Sequence, residues 1–91
     1  MKNLEGKVRS YLEYCEVQKR LDGKTLKAYK IDLRQFLEQM VDNEITMDLL
    51  EGYIGKLHEK FKPKTVKRKI ASLKAFFHYL EYKEMIDRNP F

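Results

Sequence analysis

Ninety-one residues hold one domain with a single modest core and leave no room for a second. Hydrophobic residues make up 43% of the chain and charged residues 36%, with five Phe and six Tyr, a balance that excludes a disordered tail. A net charge of +5 and a pI near 9.3 suit a polyanionic partner without requiring one.

Cys15 is the only cysteine, which excludes an internal disulfide, and it is expected in the core of the first helix. No apolar run approaches a membrane span, and MKNLEGKVRS lacks the apolar centre of a signal peptide, so a soluble cytoplasmic protein is expected.

Apolar residues recur three and four positions apart through nearly the whole length, and period-two alternation is scarce, so the fold class is all-α. A first helix over residues 4–20 carries Leu4, Val8, Tyr11, Leu12 and Cys15 on one stripe and is expected to end at Gly23. Thr25 is the expected N-cap of a second, over residues 25–40, with Leu26, Tyr29, Leu33, Phe36, Leu37 and Met40 on one face. Asp42 and Asn43 read as the next turn. Thr46 offers an N-cap for a third helix over residues 47–60, where Asp48 favours the positive end of the helix dipole and Leu50, Tyr53, Ile54 and Leu57 form the buried face. Pro63 breaks that helix and suits the first turn of a fourth, over residues 62–83, with Val66, Ile70, Leu73, Phe77 and Leu80 on one side. Asn89-Pro90 is a turn dipeptide, expected to mark a domain boundary.

Charge is segregated by sign. Residues 35–55 contain no Lys or Arg but carry Glu38, Asp42, Glu44, Asp48 and Glu51. Residues 56–74 carry Lys56, Lys60, Lys62, Lys64, Lys67, Arg68, Lys69 and Lys74 against Glu59 alone. On the fourth helix Lys64, Lys67, Arg68, Lys74 and His78 fall opposite the apolar face, together with Ala71 and Ala75. Small residues between long cations let a helix backbone lie close to a surface while the cations reach sideways to phosphates. Lys27, Lys30 and Arg34 form another basic edge on the second helix. The alternative is a solvated face. Against it, residues 64–74 hold five cations and no acid to pair with them along the helix.

No self-sufficient active site is legible. His58 and His78 lie on separate helices with no cysteine or carboxylate at metal-ligand spacing, so no metal is expected. Gly6, Gly23, Gly52 and Gly55 form no phosphate-cradling loop, Ser10 and Ser72 have no evident base, and no cofactor is expected.

Two segments taken together resemble the N-terminal core-binding domain of tyrosine recombinases, the phage-integrase and Xer-like family. In GKTLKAYKIDLRQFLEQM the matching positions are Thr25, Tyr29, Asp32, Leu33 and Phe36. In KTVKRKIASLKAFFHYLEYKEMIDRNPF they are Thr65, Val66, Arg68, Lys69, Ile70, Leu73, Lys74, Phe76, Phe77, Tyr79, Leu80, Asn89 and Pro90. The resemblance implies a compact SAM-like bundle of four main helices that packs on one side of a double-stranded recombination site, its second and fourth helices approaching the major groove. It implies DNA contacts from Thr25, Lys27, Lys30, Arg34, Lys62, Lys64, Thr65, Lys67, Arg68, Ser72 and Lys74. Thr25 and Thr65 are each also candidate N-caps. It further implies a bacterial, phage or mobile-element origin, other recombinase protomers as partners, and a catalytic domain following Asn89-Pro90, so that this chain, monomeric by itself, would not be the enzyme.

Two other readings stay open. One is a helical protein-interaction module whose basic face docks an acidic partner. The other is a non-enzymatic regulator of helix-turn-helix type, although KFKPKT is longer than the usual turn before a recognition helix.

Overall fold

The computed structural model describes residues 3–40 and 45–91. Among them the chain forms four helices and no strand: α1 Leu4–Val17, α2 Gly23–Met40, α3 Met47–Lys60 and α4 Pro63–Tyr82. The expected turn at Asp42 and Asn43 lies outside the described residues.

Helix α4 is the spine of the bundle. It packs against α1, α2 and α3, and α1 also packs on α2. The reason is its breadth of burial, since Val66, Leu73, Phe76, Phe77, Tyr79 and Leu80 cover more than one side of the helix. Phe77 meets Phe36 of α2 edge-on at 6.0 Å, and Phe36 meets Tyr53 of α3 at 5.4 Å. On the other flank Phe76 and Tyr79 hold Tyr11 of α1 at 5.6 and 5.2 Å. Edge-to-face aromatic pairs of this kind add about 0.5–1.5 kcal/mol each beyond the area they bury. Cys15 is fully buried beside Tyr11. Phe91 turns back onto the core, its ring 5.6 Å from Phe77.

The helix ends correct several expectations. Helix α1 stops at Val17, short of residue 20, and Gly23 begins α2 instead of ending α1. The left-handed residue after α1 is Arg20, at φ 50°, and the Leu21 N–H closes onto the Cys15 carbonyl at 3.1 Å. Thr25 is not the cap of α2, because Asp22 accepts from the Thr25 backbone N–H at 2.8 Å and from its hydroxyl at 3.2 Å. A carboxylate at that position interacts more strongly with the helix dipole than a hydroxyl does. Thr65 caps nothing either, since α4 starts from extended Lys62 with Pro63 in its first turn and no side-chain cap bond. Thr46 does cap α3, accepting from the Leu49 N–H at 3.1 Å.

Candidate nucleic-acid interface

The most constrained polar feature joins α2 to α4. Asp32 is buried, and its two carboxylate oxygens accept from three side chains of α4. Arg68 donates from Nη2 to Oδ1 at 2.8 Å and from Nε to Oδ2 at 3.2 Å. Lys69 Nζ donates to Oδ1 at 2.9 Å, and the Ser72 hydroxyl donates to Oδ2 at 2.9 Å. Lys69 also donates to Gln35 Oε1 at 2.7 Å and lies 4.7 Å from the centre of the Phe61 ring. Burial by itself raises the Asp32 carboxyl, but the bonds from Arg68, Lys69 and Ser72 and the Lys69 charge outweigh it and hold the group below the ordinary carboxylate range. Burial, with the Asp32 charge nearby, pushes the Tyr53 phenol up to about 12.

This cluster divides the candidate contacts. Ser72 is fully buried with its hydroxyl committed to Asp32, so the surface expected to include it does not. Arg68 remains about half exposed although its guanidinium is bound on one edge. Lys69 is inside. Thus two of the five cations in residues 64–74 do find an acid, on the neighbouring helix and not along their own.

Lys27, Lys30 and Arg34 of α2 and Lys62, Lys64, Lys67 and Lys74 at α4 are all exposed, while Thr25 and Thr65 are half-buried near the starts of their helices. Among the described residues none of these cations forms an ion pair. Ile31 is exposed between Lys27 and Arg34, an apolar side chain on the basic face that the sequence pattern did not single out. The two helices also repeat one another. Shifted by 40 positions, Lys24, Thr25, Lys27, Leu33, Arg34 and Phe36 fall on Lys64, Thr65, Lys67, Leu73, Lys74 and Phe76. Asp32 falls on Ser72, the residue it touches.

The acidic segment is less uniform in space than in sequence. Glu38 shares a cleft of about 490 Å³ with Lys56, Glu59 and Lys60, between α2 and α3. Asp42 and Glu44 lie outside the described residues.

Four helices with a shared aromatic core and an acid–base cluster tying α2 to α4 define a small all-α, SAM-like domain. The family model described as "Phage integrase, N-terminal SAM-like domain" matches residues 8–84, and the chain belongs to that family. Over its full length it is 58% identical to a tyrosine recombinase of Agathobacter rectalis, of which it covers 31%. It is 31% identical to tyrosine recombinase XerC of Herpetosiphon aurantiacus, the match taking in 96% of this chain and 31% of that one. With tyrosine recombinase XerD of Listeria monocytogenes the identity is 34%, over 91% of this chain and 31% of the other. The chain therefore spans about a third of the length of the curated relatives it matches. No solved structure matches it. No helix among the described residues is long and apolar enough to cross a membrane.

Proposed function

We propose that this chain is the DNA-binding domain of a site-specific tyrosine recombinase, gripping the duplex of a recombination site with the exposed faces of α2 and α4. The observation that carries the reading is the set of exposed cations left after the Asp32 cluster has taken Arg68 and Lys69. Lys27, Lys30, Arg34, Lys64, Lys67 and Lys74 are exposed and form no ion pair among the described residues. A solvated helix surface would interleave acids among them to recover pairing energy. A polyanion supplies the missing charge instead, and releases counterions as it binds. Lysines dominate the set, so most of the affinity comes from phosphate contacts. Strand cleavage would belong to a catalytic domain beyond Asn89-Pro90, and assembly on the site would involve further recombinase protomers in the cytoplasm.

The test is fluorescence anisotropy of a labelled duplex at two salt concentrations. The unaltered chain should bind with a steep salt dependence, and Lys67→Glu with Lys74→Glu should cut affinity at least tenfold and flatten the slope by about two counterions. Equal binding by the double variant would remove α4 from the interface, and binding by neither would favour a solvated surface or a protein partner.

A further inference from the structure

Arg68 differs from every other cation on the proposed surface because it is held from behind. We infer that Arg68 is a fixed, bidentate reader of a guanine edge and that Asp32 is the residue that positions it; this rests on the DNA-binding reading above.

A guanidinium has five N–H donors arranged in a plane. Asp32 takes two of them along the Nε and Nη2 edge, at 3.2 and 2.8 Å. That leaves the Nη1 and Nη2 edge, and the side chain is 47% exposed while its carboxylate partner is 1% exposed. The free edge is the pair of parallel donors that matches two adjacent acceptors, as in O6 and N7 of guanine.

The carboxylate cannot swing away, because Lys69 holds Oδ1 and Ser72 holds Oδ2 from inside the bundle. Lys69 has a second role. It offsets the Asp32 charge, so the cluster of one acid and two bases keeps a net positive sign and does not repel an approaching polyanion.

The choice of a base over a phosphate follows from charge and from position. A cation already sharing a carboxylate adds little to long-range attraction, whereas donors fixed in a plane add directional discrimination. Around Arg68 the helix surface is low: exposed Ala71 and half-buried Ala75 lie three and seven residues further along the same face. Lys64, Lys67 and Lys74 surround that patch with longer reach, placed to span phosphates while the centre of the helix meets base edges.

The test is selection from a pool of randomised duplexes, with sequencing of the retained fraction, for the unaltered chain, Arg68→Lys and Asp32→Asn. Thermal unfolding of each variant establishes that it is folded at the selection temperature. The unaltered chain should favour guanine at one position about tenfold. Arg68→Lys keeps the charge and loses the fork, so overall retention should change less than threefold while the guanine preference falls to near unity. Asp32→Asn should lose the same preference with Arg68 still present, which a purely structural role for Asp32 does not produce. In the free chain, the ¹⁵N spectrum should show separate, slowly exchanging Arg68 Nε and Nη signals, a readout that survives even if Asp32→Asn fails to fold. Retention without a guanine preference, or a preference that Arg68→Lys leaves intact, overturns the inference and makes Arg68 a phosphate contact or a structural residue. Retention of no duplex by the unaltered chain overturns the DNA-binding reading itself.

Discussion

Lys69 and Asp32 form an ion pair at 2.9 Å inside the bundle, with side chains 4% and 1% exposed. Removing one member of such a pair strands the other in a medium that solvates it poorly. Asp32→Ala, which also strips the partner from Arg68 and Ser72, is expected to cost about 3–5 kcal/mol in urea unfolding. Lys69→Met should cost clearly less, because Asp32 keeps Arg68 and Ser72 and a methionine fills similar space. Equal losses from the two variants would show that the acid is not the centre of the cluster.

The same carboxylate sets the acid limit of stability. Its folded pKa lies below the unfolded value of about 4, so its contribution is fully present above that value and is lost as pH falls through the folded one. The melting temperature is expected to stay level from pH 7 to about 5 and then to drop. Asp32→Asn should start lower and fall less over the acid range. Exposed Asp22, also depressed, by the Thr25 backbone bond foremost, contributes in the same direction and remains in the variant.

Cys15 should behave as an inert thiol. It is fully buried, and burial pushes its pKa up more than the Tyr11 hydrogen bond and the Lys19 charge bring it down. A disulfide reagent at pH 8 is expected to label it at the rate of global unfolding, and labelling should accelerate in urea in step with the loss of helix signal. Rapid labelling in the native state would mean that α1 opens by itself.

The turn just after α4 offers a gain. Glu84 sits at φ 56°, and the Met85 N–H closes onto the Leu80 carbonyl at 2.8 Å, a geometry that a glycine adopts without the Cβ penalty. Glu84→Gly is expected to raise stability by about 0.5–1 kcal/mol, measured as a shift in the urea midpoint. A loss of stability would show that the Glu84 side chain holds the turn by contacts of its own.

The helices were legible in the sequence because their apolar residues keep helical spacing, and α3 runs over the expected residues 47–60. The caps were less legible, since Asp22, Thr25 and Gly23 are all plausible at a helix start and only geometry chooses among them. Of the proposed surface, the exposed lysines could be read from charge and period, but Ser72 could not be told from a surface hydroxyl. Asp32 and Lys69 did carry a signal. Tyr29, Asp32 and Phe36 lie on one helical stripe, as do Lys69, Leu73, Phe76 and Leu80, so each charge interrupts an apolar run where a solvated residue has no place. Pairing them required the crossing of α2 and α4, which lies 37 positions apart in sequence and is written in neither helix alone.

Because α4 both spans the core and carries the outward cations, any molecule that settles on its outer face is coupled to the folding of the whole chain. Occupancy there withdraws the folded form from the unfolding equilibrium, and each tenfold excess of ligand over its dissociation constant adds about 1.4 kcal/mol. The domain is thereby its own reporter. Its melting temperature, read with an unlabelled ligand at rising concentration, is a titration curve for that face.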